Sequence, residues 1–206
     1  MKARHYPALV VSVCAATLPM LAHAHHAMDN ALPSTALQGL LSGLAHPIIG
    51  VDHLLFVLAI GATCYYFGQR AGAIAGFLAA ALAGTVLHLY SATLPYAEAW
   101  VALSLVVLGV LLVVAAPVLR SRAMPAFFAL AGIAHGYAYG EAIVGAEQTP
   151  LFAYLAGYTI VQLLVVFAGY ALARYADRKQ PSVTAVKMAG GVLSIAGVAF
   201  LALAFA

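Results

Sequence analysis

The stretch HPIIGVDHLLF, residues 46–56, places two imidazoles and a carboxylate inside an otherwise apolar segment. His46 and His53 are seven residues apart, so a continuous helix would present both on one face. An ionisable group at membrane depth costs about 3 kcal/mol on insertion scales, and such groups therefore mark candidate functional sites. We expect His46, Asp52 and His53 either to pair with other polar groups or to bind a ligand.

A second apolar stretch, IAHGYAYGEAIVGAE at residues 133–147, carries His135 and, six residues later, Glu141. Glycines recur at positions 132, 136 and 140, and such a row lets another helix approach closely. We also expect these glycines to loosen the helix around its ionisable residues. Tyr137 and Tyr139 lie at membrane depth as well, where their hydroxyls need polar partners.

The depth of each ionisable residue in the membrane can be estimated from the predicted cytoplasmic end of its span, at about 1.5 Å of helix rise per residue. By this estimate, most of the intramembrane ionisable residues lie in one layer in the outer half of the membrane. A common layer favours one site over several separate packing roles. Imidazole nitrogens together with carboxylate oxygens suit nickel, cobalt, zinc or copper(II) rather than calcium. The predicted metal ligands are His46, Asp52, His53, His135, Glu141 and His88.

Other roles stay open for these residues. His46 can be an interfacial histidine that faces lipid headgroups, and His88 can cap the outer end of its span. Asp52 and His53 can also form a buried, hydrogen-bonded lock with His135 and Glu141 that holds no ligand.

Pro47 predicts a break in the first apolar segment, because proline lacks a backbone donor and clashes with the preceding turn. Gly50 is a flexible position beside it. A break here would turn Asp52 towards the histidines and would free backbone carbonyls near Gly43. The segment then consists of a short interfacial helix over 34–45 and a span near 49–67.

The composition is that of a membrane protein. The chain is 65% hydrophobic and 7% charged, with a mean hydropathy of +1.02, whereas soluble domains are about 25% charged. The sequence predicts an all-α polytopic protein whose residues 25–206 form six transmembrane helices, with the lipid bilayer and a divalent metal ion as partners. A basic cluster suited to nucleic acid and a P-loop are both absent from the sequence. The spans are predicted at about 37–67, 71–93, 96–116, 124–146, 150–173 and 184–205.

The N-terminus and the loop charges predict the orientation. Residues 1–24 have a basic start, a short apolar core and an Ala22-His23-Ala24 cleavage site, as in a secretory signal peptide. All basic residues after the signal lie between alternate spans, which the positive-inside rule places in the cytoplasm. The prediction is a bacterial inner-membrane protein with both mature termini in the periplasm. The basic residues are Arg70, Arg120, Arg122, Arg174, Arg178, Lys179 and Lys187.

These motifs resemble those of the HupE/UreJ family of nickel/cobalt permeases. His46-x5-Asp52-His53 looks like the first family signature, and residues 134–141 are similar to the second, F-H-G-x-A-H-G-x-E. Here Glu141 comes one place early, and Tyr139 stands where the family often has a histidine. The resemblance extends over essentially the whole chain. It implies uptake of nickel or cobalt, for enzymes such as hydrogenase or urease, without enzymatic activity or a resident cofactor.

The residues by themselves allow three functions. The preferred one is a secondary transporter that imports a divalent metal ion through the intramembrane site. The alternative is an intramembrane zinc-dependent hydrolase acting on a lipid, with zinc held by histidines and an acidic residue as base. A third is a haem-binding membrane cytochrome, for which His53, His88 and His135 are the candidate iron ligands.

The two motifs also suggest an internal symmetry. The first span enters from outside with an H-x5-D motif, and the fourth enters from inside with an H-x5-E motif. Three spans in each half with opposite entry predict a 3+3 inverted repeat, with broken helices that meet at the site.

Overall fold

All regular structure in the described part of the chain is helical. The computed structural model describes residues 31–69, 71–179 and 183–206. The all-α prediction is confirmed, whereas the predicted signal peptide and Arg70 lie outside the described residues. A 3-10 turn, Pro117–Arg120, precedes the fifth helix. The α-helices are α1 (Ala36–Ile49), α2 (Val51–Phe67), α3 (Ala71–Leu89), α4 (Ala97–Val113), α5 (Ala123–Glu141), α6 (Gln148–Lys179) and α7 (Val183–Leu203).

Several helices have the length and hydropathy of membrane spans. Among the described residues α3, α6 and α7 each qualify alone, and α1 with α2 forms a fourth candidate that is bent by 78°. α4 has only 17 residues. α5 has 19 residues, but its histidine, glutamate and three glycines lower its hydropathy. The structure therefore supports a polytopic membrane protein, and the count of six spans stays a prediction.

The distribution of side chains fits a lipid environment. Large apolar residues such as Leu130 and Ile195 are exposed on the outer faces of the helices. Polar residues such as His53 and Gln162 are fully buried between the helices. Soluble proteins usually bury the first kind and expose the second, so this arrangement fits a chain surrounded by bilayer.

Local signals explain where the first helices begin and end. The Thr35 hydroxyl caps α1 by accepting a hydrogen bond from the backbone N–H of Gln38 at 3.2 Å. α2 ends at Gly68, whose φ of 69° lies in the left-handed region that glycine tolerates. The N–H of Gly68 donates to the carbonyl of Cys64 at 3.1 Å, which satisfies one carbonyl of the last turn.

Three helix pairs form most of the packing. α3 and α5 run parallel, because Gly132 packs near Phe77 at one end and Gly140 packs near His88 at the other. α1 and α2 together run parallel to α6, while α4 runs antiparallel to α7. The contacts that fix these directions are Gly43–Tyr154, Tyr65–Asp177, Leu112–Gly190 and Leu105–Gly197.

Two glycines make reciprocal backbone contacts at the centre of the α3–α5 pair. A Cβ at Gly84 would overlap the carbonyl of Ile133, and a Cβ at Gly136 would overlap the carbonyl of Ala81. Thr85 adds a hydrogen bond from its hydroxyl to the carbonyl of Gly136 at 2.7 Å. The helices can approach this closely only because the side chains are missing, so α5 is held at a fixed height against α3.

The ends of α2, α4 and α6 come together at one end of the bundle. The Gln69 amide donates to the carbonyl of Leu119 at 2.6 Å, and the Tyr65 hydroxyl donates to Asp177 at 2.8 Å. At the opposite end, the rings of Tyr96 and Phe205 are 5.5 Å apart. The basic residues of the described chain lie in or near the segments at the first end, as expected for loops on one side of a membrane.

We predict that Gly84→Ala destabilises the protein and that Gly76→Ala, in the same helix, does not. A Cβ at Gly76 meets nothing within 4 Å. Overpacking a close contact costs about 1–3 kcal/mol, whereas alanine is favoured over glycine by about 0.8–1.0 kcal/mol in an open helical position. Thermal unfolding of both variants in one detergent measures the difference. Equal melting temperatures would contradict a tight α3–α5 contact.

Candidate functional site

α1 and α2 meet at Gly50, where the chain bends by 78°. Gly50 has a φ of −69° and a ψ of 95°, and its N–H donates to the carbonyl of His46 at 3.0 Å. The sequence predicted the break at Pro47, but the structure places it three residues later. α1 accommodates Pro47 in its last turn, and the helix ends only where the ψ of Gly50 leaves the helical region.

The break brings the side chains of Asp52 and His53 back over Gly50. A Cβ at Gly50 would lie 2.5 Å from Cδ2 of His53, so only glycine leaves room for this ring position. Oδ1 of Asp52 accepts a hydrogen bond from the backbone N–H of His53 at 2.8 Å. This carboxylate lies in the first turn of α2, where the helix dipole favours negative charge.

His53 contacts His135 of α5 directly. The two Nδ1 atoms are 2.8 Å apart, and both side chains are fully buried. On the other side of His135, Nε2 lies 3.1 Å from the hydroxyl of Ser104 in α4. The ring of Phe56 stacks on His135 with centroids 4.7 Å apart. Side chains from two other helices, α2 and α4, therefore fix the position of this imidazole of α5.

His46 lies beside this pair and is held by α6. Its Nδ1 is 3.2 Å from the hydroxyl of Tyr154, which donates to the carbonyl of Tyr139 at 2.7 Å. The centroids of the His46 and His53 rings are 6.1 Å apart. The ring of Tyr139 contacts both, with centroid distances of 5.2 Å to His46 and 4.5 Å to His53.

The structure thus brings together four of the six predicted ligands. We call His46, Asp52, His53 and His135 the histidine cluster. All four are at least 96% buried, since the largest exposed fraction among them is 4%. The nearest approach of the carboxylate to an imidazole nitrogen is 4.0 Å, between Oδ1 of Asp52 and Nε2 of His53.

The other two predicted ligands lie elsewhere. Nδ1 of His88 donates to the carbonyl of Tyr137 at 2.8 Å, and the two rings are in contact at a tilt of 38°, with centroids 4.2 Å apart. This contact ties the end of α3 to α5. Glu141 is exposed at the end of α5 and has no hydrogen bond or ion pair among the described residues. Their role as ligands stays a prediction.

The glycine-rich α5 differs from expectation in its shape. The sequence predicted a loosened helix around His135 and Glu141, but α5 is continuous from Ala123 to Glu141. Close packing against α3 supports the glycines on one face, so they do not break the helix. Only the α1–α2 break lies at the histidine cluster.

No group of three or more His, Cys, Asp and Glu side chains in the described ranges is placed to hold a metal ion jointly. The histidine cluster instead consists of a hydrogen-bonded imidazole pair with a carboxylate on one side and a third imidazole on the other. Any shared ion needs either further donors or a change in the His53–His135 contact.

Comparison with known proteins places the chain in a family. The sequence profile described as HupE / UreJ protein matches residues 12–200. The chain belongs to the HupE/UreJ family. It is also 28% identical over 198 residues to Protein HupE of Rhizobium leguminosarum bv. viciae, which covers 95% of this chain and 98% of that protein. No solved structure matches the chain.

This HupE/UreJ protein keeps several buried polar atoms without a hydrogen-bond partner among the described residues. They include Nε2 of His53, the hydroxyl of Tyr139 and both amide atoms of Gln162. Gln162 lies one helical turn after Tyr158, whose ring contacts Tyr139. Unpaired buried polar atoms are rare and each one needs an explanation. Here three such side chains lie on or near the histidine cluster.

Three site residues of this HupE/UreJ protein were not predicted from the sequence. Ser104 and Tyr154 contact the histidines, and Gln162 is a fully buried amide. The sequence does contain an indication of Gln162, since it is a polar residue within the apolar run TIVQLLVVF. Ser104 carries none, because serine is common in membrane helices and bonds its own backbone there.

We predict opposite effects on stability when the hydroxyl is removed from two neighbouring tyrosines. Tyr139→Phe removes a buried hydroxyl that has no partner among the described residues, so the melting temperature should stay the same or rise. Tyr154→Phe removes a hydroxyl that donates to the carbonyl of Tyr139 and contacts His46, so stability should fall by about 1–2 kcal/mol. Thermal unfolding of the two variants in the same detergent tests this pair. An equal loss in both would contradict the assignment of partners.

Proposed function

We propose that this chain is a secondary transporter that imports a divalent transition-metal ion, nickel or cobalt, across the bacterial inner membrane. The observation that carries the proposal is the fully buried pair of His53 and His135 beside the buried carboxylate of Asp52. Such groups are costly in a membrane and characteristically line ion pathways. Membership of the HupE/UreJ family, a family of nickel/cobalt permeases, supports the same cargo.

The histidine cluster supplies suitable donors for such an ion. Nε2 of His53 and Oδ1 of Asp52 are 4.0 Å apart, which is less than twice a metal–ligand distance of about 2.1 Å. One ion can therefore contact both atoms without movement of the backbone. The imidazole of His46 and the hydroxyl of Tyr139 are the next donors, with water in the remaining positions. Nitrogen and oxygen donors suit nickel and cobalt and allow release.

The membrane potential can drive this import. An inside-negative potential favours entry of each positive charge by about 2.3 kcal/mol per 100 mV, so a divalent ion gains about 4.6 kcal/mol. The sequence contains no P-loop, so hydrolysis of ATP through that motif is not the energy source. The predicted orientation places the basic end of the bundle in the cytoplasm, so an imported ion enters at the opposite, periplasmic end.

The helix pairs support a 3+3 inverted repeat as the basis of alternating access. An inverted repeat exchanges the first three predicted spans with the last three. This exchange replaces α2 by α5 and α6 by α3, so it converts the α2–α6 pair into the α5–α3 pair. Both of these pairs are parallel, and the exchange returns the antiparallel α4–α7 pair to itself. The three observed helix pairs therefore stay the same when the two halves of the chain are exchanged, as an inverted repeat requires.

The α2–α6 pair also repeats the glycine contacts of the α3–α5 pair. A Cβ at Gly61 would overlap the carbonyl of Val166, and a Cβ at Gly169 would overlap the carbonyl of Leu58. In every one of the four helices the two contacting positions are three residues apart. The same reciprocal contact thus occurs in both of the helix pairs that the predicted exchange interconverts.

The register of this repeat differs from the one that the motifs suggested. The glycine contacts align residues 58–61 with 133–136, which places Ile60 opposite His135. The motifs had aligned His46 with His135 instead. The repeat that we propose is therefore a repeat of helix packing, within which each half supplies different residues to the histidine cluster.

The cytochrome alternative fits the histidine cluster poorly. Two histidines on opposite faces of a haem iron stand about two metal–nitrogen distances apart, roughly 4 Å. The Nδ1 atoms of His53 and His135 are 2.8 Å apart and in direct contact. His88, the third candidate iron ligand, is bonded to a backbone carbonyl.

We predict that His46→Ala, Asp52→Ala and His53→Ala each lower uptake of radioactive nickel or cobalt at least about ten-fold, which corresponds to a loss of about 1.4 kcal/mol. Cells that lack other importers and carry each variant at equal membrane abundance provide the measurement. Thr63→Ala is the matched control. Thr63 is buried in α2 like His53, but among the described residues its hydroxyl bonds only to the carbonyl of Ala59 in its own helix. Wild-type uptake in all three variants would end the proposal.

Ion retention and lipid turnover by the purified protein distinguish transport from the hydrolase alternative. A transporter should lose its ion on dialysis and leave lipid esters and amides intact. A hydrolase should retain stoichiometric zinc and turn over a lipid. Retained zinc together with lipid turnover that is abolished in His53→Ala would replace the transport proposal with the enzymatic one.

A further inference from the structure

The hydrogen bonds that start at Ser104 determine which nitrogen of His53 carries a proton. Ser104 has one hydroxyl proton, and the hydroxyl donates it to the carbonyl of Val101 at 2.6 Å. A carbonyl can only accept, so this direction is fixed. The Ser104 oxygen is therefore an acceptor towards Nε2 of His135, 3.1 Å away.

The same reasoning assigns the donor and acceptor nitrogens of both imidazoles. Because Nε2 of His135 donates to Ser104, Nδ1 of a neutral His135 is the acceptor. Nδ1 of His53 lies 2.8 Å from that atom and must donate to it. The remaining nitrogen of neutral His53, Nε2, then carries a lone pair and no proton.

Nε2 of His53 is the nitrogen that lies 4.0 Å from Oδ1 of Asp52, and it has no hydrogen-bond partner among the described residues. A lone pair beside a carboxylate is unfavourable unless a cation lies between them, and an imidazole binds a metal ion only through an unprotonated nitrogen. The opposite tautomer would direct an N–H instead of a lone pair towards the carboxylate, and at 4.0 Å the two atoms are too far apart for a direct hydrogen bond.

We propose that Ser104 is a positioning residue that sets the tautomers of His135 and His53, so that Nε2 of His53 is presented to the cation as a lone pair. Ser104 touches neither Asp52 nor the proposed ion position and acts through His135. This resembles the way in which a partner on the second ring nitrogen fixes the tautomer of a metal-binding histidine. The transport consequence rests on the proposed function, but the tautomers themselves do not.

The location of Ser104 explains why a single hydroxyl has this effect. The side chain is 6% exposed, and its neighbours on the lipid side of α4 and α5 are apolar, such as Trp100, Val107 and Ala134. The rings of Phe56 and Phe77 contact the other faces of His135. Within the described structure, the hydroxyl of Ser104 is the polar group that contacts Nε2 of His135.

The test is the nitrogen NMR spectrum of the purified, metal-free protein with ¹⁵N-labelled histidine at alkaline pH. In the wild type we expect His53 protonated at Nδ1 and His135 protonated at Nε2. Ser104→Ala should give mixed tautomers at both residues, and Ser104→Thr, which keeps the hydroxyl, should restore the wild-type pattern. Ser194→Ala is the control, since the buried Ser194 hydroxyl has no hydrogen-bond partner in the part of the chain that the structure describes.

Nickel or cobalt binding to the same samples gives the functional consequence. We expect Ser104→Ala to weaken binding about five-fold, the factor that a hydrogen bond of about 1 kcal/mol represents. Ser104→Thr and Ser194→Ala should bind as the wild type does. A merely structural role of Ser104 would lower stability without changing the tautomers.

The outcomes separate this inference from the proposed function. A wild-type His53 protonated at Nε2, or an unchanged spectrum in Ser104→Ala, overturns the role of Ser104 even if the cells import metal. The expected spectra in a protein that imports no metal would uphold the role of Ser104 and refute the transport proposal. If Ser104→Ala does not fold, the wild-type spectrum decides, because protonated Nδ1 on His53 supports the inference and protonated Nε2 contradicts it.

Discussion

The contact between His53 and His135 is the constraint around which the rest of the protein is arranged. It joins a broken helix to a continuous one through two fully buried imidazole nitrogens 2.8 Å apart. Polar groups at such depth are tolerated only when their surroundings hold them in place. Here Gly50 leaves the space for one ring, and Ser104 with Phe56 fixes the other. The carboxylate of Asp52 makes the space beside Nε2 of His53 favourable for a cation, and these atoms form the proposed ion site.

Glycines position this contact from a distance. In the α3–α5 and α2–α6 pairs, reciprocal glycine contacts set the height of each helix against its partner, and the two pairs are equivalent under exchange of the two halves of the chain. In the proposed mechanism, these two similar pairs would be the elements that move during alternating access. The histidine cluster lies where α2, α4, α5 and α6 meet, so relative movement of the pairs would change the distances between its donors.

Much of this arrangement could be predicted from the sequence, because apolar length and buried charge are strong signals. The all-α class, the glycine stripe of α5 and the association of His46, Asp52 and His53 with His135 followed from residue type and spacing. The position of the break did not, since Pro47 and Gly50 compete and only the backbone shows that α1 continues to Ile49. Glu141 and His88 have the right chemistry at the right depth, but depth does not say which way a side chain faces, and the structure places them apart from the cluster. Ser104 could not be recognised, because a lone serine in a membrane helix has no distinctive pattern.

The nickel K-edge X-ray absorption spectrum of the purified, nickel-loaded protein in lipid nanodiscs tests the central claim most directly. We expect a first shell made only of nitrogen and oxygen, with the outer-shell scattering of imidazole, and a loss of imidazole scattering in His53→Ala. A nickel ion bound without imidazole, or a spectrum that His53→Ala leaves unchanged, would contradict the claim that the buried histidine cluster binds the transported ion.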